Sequence, residues 1–107
     1  MRYVTERGEV IEVRRKYRVR GESGLYHTFD VAYLKDGKLT KLVDFLPADS
    51  EDYTWLSFYG KMIDVKEMLK SLKGVEYLVV IPPEEREERH LEKLLGNLGI
   101  DYKIAIG

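Results

Sequence analysis

Between Glu9 and Arg20, apolar Ile11, Val13, Tyr17 and Val19 alternate with Glu12, Arg14, Lys16, Arg18 and Arg20. A period of two puts these sets on opposite faces of an extended chain, which predicts a half-buried strand with a basic outer face. Met1 to Thr5 is expected to pair with it across Glu6-Arg7-Gly8. Leu25 to Leu34 and Leu39 to Leu46 are two further strand-like runs, and the Lys35-Asp36-Gly37-Lys38 turn between them predicts a hairpin.

The loop of that hairpin decides which side chains share a face. A two-residue Asp36-Gly37 loop sets Phe29 opposite Asp44 and sends the acids Asp30 and Asp44 to opposite faces. A three-residue loop of Lys35, Asp36 and left-handed Gly37 pairs Leu34 with Lys38 and Asp30 with Leu42. It sets Thr28 roughly opposite Asp44 and returns both acids to one face. This register is expected because it gathers Phe29, Val31, Tyr33, Leu39, Val43 and Phe45 on one side. Thr28, Ala32 and Thr40 then lie with the acids.

Beyond Pro47 the spacing changes to three and four. Trp55, Phe58, Met62, Val65, Leu69 and Leu72 predict a long amphipathic helix, with Asp49 or Ser50 as N-cap and Gly74 as its stop. Leu56, Tyr59 and Ile63 add a second apolar edge around Gly60, expected to be covered by another part of the fold or by a second copy in a homodimer. Val75 to Ile81, broken only by Glu76, is an apolar run, as in a buried strand. Pro82-Pro83 opens a second helix whose acidic first turns suit the helix dipole and whose Leu91, Leu94, Leu95 and Leu98 form the buried stripe. Ile100 to Ile106 closes the order as a last strand. A strand meander followed by helix, strand, helix and strand predicts one α/β domain over residues 1–107, a mixed β-sheet flanked by helices.

Composition narrows the chemistry. A chain of 107 residues, 44% hydrophobic and 35% charged, supports one core. No apolar run has the length needed to cross a bilayer and no leader pattern opens the sequence, so a soluble cytoplasmic protein is expected. With no Cys and only two His, any metal must be held by oxygen. The lack of Gln, the single Asn and the many Glu, Lys and Arg are similar to proteins from very hot environments. The net charge of -1 conceals an uneven distribution: Arg14, Arg15, Lys16, Arg18 and Arg20 form a basic run, while Glu84, Glu85, Glu87, Glu88 and Glu92 crowd a later one. The basic strand face has two readings. Arg14, Lys16, Arg18 and Arg20 are a footprint for the phosphates of DNA or RNA, or they guard a strand edge against aggregation.

Five segments carry a resemblance through their order: Arg20-Gly21-Glu22-Ser23-Gly24 before His27 and Asp30, Leu42-Val43-Asp44, Phe58-Tyr59-Gly60-Lys61, Ile63-Asp64-Val65, and Tyr77 to Pro82. From about Arg18 onward the chain resembles the restriction-endonuclease-like, or PD-(D/E)XK, superfamily, and within it small archaeal members. The resemblance implies Mg²⁺ held by Asp30, Asp44 and the carbonyl of Phe45, together with phosphodiester cleavage assisted by a lysine two residues past the second acid. Such chemistry requires a hard cation to stabilise phosphate charge and activate water, and carboxylates suit that cation.

The sequence departs from the family pattern twice. Leu46 stands at the lysine position, and only Met1 to Gly8 precedes the first long strand, where the family has a helix. The expectation is therefore a restriction-endonuclease-like domain that has lost cleavage and retains nucleic-acid association, in which Leu46→Lys restores weak activity. Two alternatives stand beside it. One is an active Mg²⁺-dependent nuclease with catalytic Asp30, Asp44 and a relocated Lys61; the other is a homo-oligomeric interaction scaffold. Asp30 and Asp44 read equally as strand residues facing solvent or paired to basic neighbours. His27 reads as a packed or turn-stabilising histidine, and Gly21 and Gly24 read as turn glycines.

Overall fold

The computed structural model describes residues 1–46, 52–81 and 88–106. Strands β1 (Arg2–Val4), β2 (Val10–Arg20), β3 (Tyr26–Lys35) and β4 (Lys38–Phe45) precede helix α1 (Asp52–Ser71). Strand β5 (Glu76–Ile81), helix α2 (Glu88–Leu98) and strand β6 (Lys103–Ile106) complete the order. The strands form one sheet in sequential order, antiparallel from β1 to β4 and parallel from β4 to β6. The predicted α/β class and mixed sheet are present. The expected caps at Asp49 or Ser50, and the opening of α2 at Pro82-Pro83 with Glu84, Glu85 and Glu87, lie outside the described residues.

The β3–β4 hairpin corrects the expected register. Its loop has two residues, Asp36 at φ 49° and Gly37 at φ 81°, with Lys35 paired to Lys38. Asp-Gly favours this doubly left-handed turn because its twist matches that of the strands. Leu34 pairs with Leu39, but Tyr33 pairs with Lys41, so Thr40 is the extra residue of a bulge. Its hydroxyl donates to the Tyr33 carbonyl at 3.1 Å. Past the bulge Ala32 faces Leu42 and Val31 faces Val43, which brings Asp30 beside Asp44. The bulge thus does what a three-residue loop was expected to do, and the acids share a face.

That face is the buried one. Ala32, Leu34, Leu42, Leu46, Tyr77, Val79 and Ile81 join Phe58, Met62 and Val65 of α1 and Leu91, Leu94 and Leu95 of α2 in a single core. Both crossovers join parallel neighbours stepping in the same direction, and a constant crossover hand puts both helices on one side. Phe29, expected on the opposite face, belongs to this core as well, with its ring edge-on to Tyr77 at 5.8 Å. The alternation breaks at Asp30, where the ladder to β2 skips the position of Lys16, held at φ 53°. Val31 and Tyr33 lie half-buried on the other side of the sheet.

Candidate functional site

Asp30 and Asp44 sit where β3 and β4 separate. The Asp30 N–H donates to Asp44 Oδ1 at 3.2 Å, and the Phe45 N–H donates to Asp30 Oδ2 at 2.7 Å. Each carboxylate therefore accepts a backbone donor from the opposite strand, replacing ladder bonds that the widening sheet no longer makes. Asp44 is buried and Asp30 half-buried, and both line a cleft of about 420 Å³. Asp44 thus fits the reading of a strand acid paired to a basic neighbour, Lys61, while Asp30 keeps access to the cleft.

Lys61 supplies a cation. It lies on α1 one turn after Phe58 and one residue before Met62, on the sheet-facing side. Its Nζ donates to Asp44 Oδ2 at 2.6 Å and to the Thr28 carbonyl at 3.0 Å. The ammonium rests 4.3 Å from the centre of the Phe29 ring, whose negative π-face favours it. Tyr77 completes the cluster from β5, its hydroxyl donating to Asp44 Oδ2 at 2.7 Å. Burial, followed by the adjacent Asp44 charge, raises the Tyr77 pKa well above its ordinary value, so the phenol stays a donor. Its position in the apolar run Val75 to Ile81 suggests packing alone. The useful signal was a lone hydroxyl where a purely apolar residue would have served.

A second cluster holds α1 to the sheet one turn further on. Asp64 accepts the Ser23 N–H at 2.8 Å, the Ser23 hydroxyl at 2.6 Å and a bond from His27 Nε2 at 2.6 Å. The Ser23 hydroxyl, the His27 ring and the Ser23 amide together lower the Asp64 pKa to about 2. The Asp64 carbonyl also receives the Glu22 N–H at 3.0 Å. Gly21 permits this approach, because a Cβ there would overlap the Asp64 carboxylate. Gly24, at φ 89°, is a turn glycine as expected. His27 serves the turn and helix joint, in line with its structural reading.

Leu46 stands at the position of the missing strand lysine. It is 7% exposed and packs in the core as well as bordering the cleft. A lysine here would exchange apolar packing for a charge beside the Asp44 already paired to Lys61, so Leu46→Lys is a destabilising change rather than a simple restoration. The ammonium beside Asp44 comes from α1.

The basic residues of β2 do not act as one uniform face. Arg14 pairs with Glu12 at 2.7 Å, and left-handed Lys16 interrupts the ladder. Arg18 stacks over Tyr26 at 4.3 Å, beside the cleft, and exposed Arg20 pairs across the ladder with Tyr26. Leu56, Tyr59 and Ile63 remain exposed along α1. No described helix is long and apolar enough to cross a membrane.

For Mg²⁺, the donors are oxygen only. Asp30 and Asp44 line the cleft; Asp44 Oδ1 accepts the Asp30 N–H, Asp44 Oδ2 is engaged by Lys61 and Tyr77, and Asp30 Oδ2 accepts the Phe45 N–H. Among the described residues no third His, Cys, Asp or Glu joins them. Two carboxylates still fit a cation that keeps several waters and shares its coordination with substrate phosphate. Phe45 contributes its N–H to Asp30 at this place. Comparison with family models, curated proteins and solved structures gives no match to this chain.

Proposed function

We propose that the cleft is a phosphodiester-hydrolysing, nuclease-type site in which Lys61 takes the role that the PD-(D/E)XK pattern gives to a strand lysine. The observation carrying this reading is the Lys61 ammonium 2.6 Å from Asp44, beside Asp30, in an open cleft. Asp30 and Asp44 would hold Mg²⁺, which when bound supplies Lewis acidity toward phosphate oxygens and a more acidic water. Tyr77 fixes the Asp44 carboxylate, and Phe29 supports the ammonium from behind. Lys61 has three N–H donors, of which Asp44 and Thr28 take two. The third is the donor assigned to a phosphate oxygen or the attacking water.

Mg²⁺-dependent cleavage, assayed on single- and double-stranded DNA and RNA, is the expected activity. Lys61→Met should reduce it roughly 10²- to 10³-fold, the usual effect of losing one donor to developing charge, and Asp30→Asn should abolish it. Cleavage indifferent to both substitutions would sink the assignment. Binding without cleavage by a folded wild-type chain would instead support the nucleic-acid-associated module.

The exposed Leu56, Tyr59 and Ile63 favour a second reading, homodimerisation through α1. Sedimentation should then give a dimer that Leu56→Asp converts to monomer; a wild-type monomer at high concentration would remove this reading.

A further inference from the structure

Three aromatic side chains from three different elements surround the acidic centre. Tyr26 begins β3, Phe45 ends β4 and Tyr53 lies in the first turn of α1, and all three line the cleft with Asp30, Asp44 and Lys61. They are 56%, 53% and 78% exposed. Core packing does not account for rings left this far in water. Among the described residues the other exposed aromatics are Tyr3 and Tyr59, so most of the exposed aromatic surface gathers at this one cleft.

Charge and depth specify what those rings receive. The Arg18 guanidinium covers one face of Tyr26 at 4.3 Å, which sets a cation beside a ring that lines the cleft. Asp44, by contrast, is buried at the floor. A cleft of about 420 Å³ is the size of a small-ligand pocket and not a groove for a whole duplex. For a phosphodiester to reach the floor, its flanking bases must leave a helical stack, and exposed aromatic faces compensate for that unstacking.

We infer that this site selects unpaired nucleic acid, with bases of a single-stranded or splayed segment stacked on Tyr26, Phe45 and Tyr53 and the phosphate lowered toward Asp30 and Lys61. This inference rests on the phosphodiesterase reading and names its substrate class. The rings provide affinity with little base preference, since every base has a π-face.

Binding measured in EDTA isolates recognition from cleavage. The probes are a short fluorescent oligodeoxythymidylate and the same strand annealed to oligodeoxyadenylate. The wild-type chain should bind the single strand at least about tenfold more tightly than the duplex. Tyr26→Leu and Tyr53→Leu keep apolar bulk but remove the ring, and each should weaken single-strand binding roughly 5- to 150-fold. Tyr26→Phe and Tyr53→Phe should retain wild-type binding. Both positions are exposed surface, and matching thermal unfolding curves will show that the four variants fold.

Duplex binding as tight as single-strand binding, or leucine variants that bind like wild type, would overturn the inference. If Lys61-dependent Mg²⁺ cleavage persists in that case, the site remains a phosphodiesterase with a different substrate. If no nucleic acid is bound or cut in any form, the functional reading and this inference fall together.

Discussion

Lys61→Met removes the ammonium while keeping most of the side-chain stem, so it probes the buried charge with little loss of packing. The Lys61 and Asp44 side chains are 14% and 5% exposed, which limits solvent screening of their interaction. Removing one member of a buried pair costs about 3–5 kcal/mol when the other charge is left uncompensated. Here Asp44 would retain the Tyr77 hydroxyl and the Asp30 N–H, so the cost should fall at the lower end, about 3 kcal/mol. Asp44→Asn leaves the ammonium with the Thr28 carbonyl and the Phe29 ring and should cost about 2 kcal/mol. The double variant should cost about 3 kcal/mol rather than the additive 5, a coupling of about 2 kcal/mol. Urea unfolding at neutral pH reads these values directly. With a slope of about 1.5 kcal/mol per molar, Lys61→Met should lower the midpoint by about 2 M. A drop below about 0.3 M, with additive single and double variants, would show that the pair does not carry this energy in solution.

The helix joint gives a pH prediction with a defined sign. Asp64 lies at about 2 when folded against an ordinary 3.8, so its contribution is present above about pH 4 and lost as pH falls through 2. The stability difference between wild type and Asp64→Asn should shrink over that interval in acid-dependent melting; a constant difference would refute the linkage. Gly21→Ala should cost about 1–3 kcal/mol by driving a Cβ into the Asp64 carboxylate, and adding Asp64→Ala should relieve much of that clash in a melting-temperature cycle. Leu46→Lys should destabilise by at least about 2 kcal/mol in urea through loss of core packing, and wild-type stability in this variant would show that the position opens to solvent.

Local pattern made much of the fold legible. Alternation in β2, a hairpin turning between Lys35 and Lys38, the Phe58-Met62-Val65 spacing and the mostly apolar β5 each report a short-range preference that the structure retains, although the loop within that hairpin is shorter than expected. Which sheet face would be buried was not legible in β3 and β4. Side-chain sorting within a hairpin favoured Phe29 with Val31 and Tyr33, but the helices cover the side bearing Ala32 and Leu42, a result of crossover handedness and two local irregularities. Left-handed Lys16 was hidden because a lysine carries no sequence signal for positive φ. The two acids and Lys61 were legible as candidates, whereas their meeting depends on a bulge and a docked helix. Tyr77 and the Ser23–Asp64 contact escaped notice because each links residues 33 or more positions apart.

The origin of the ammonium on a crossover helix also bears on the order of folding. A lone β3–β4 hairpin in native register would bring two carboxylates together before their cation arrives, and like charges at that distance oppose closure. Docking α1 removes the repulsion through Lys61 and, one turn later, seats Asp64 on the Ser23 turn. Hairpin and helix are therefore cooperative partners, and the end of the hairpin nearest the acids should be the last part of it to zip. In a φ-value experiment, substitutions near the Asp36-Gly37 turn should report earlier structure than those at Asp44 and Lys61, whose native interactions should form together.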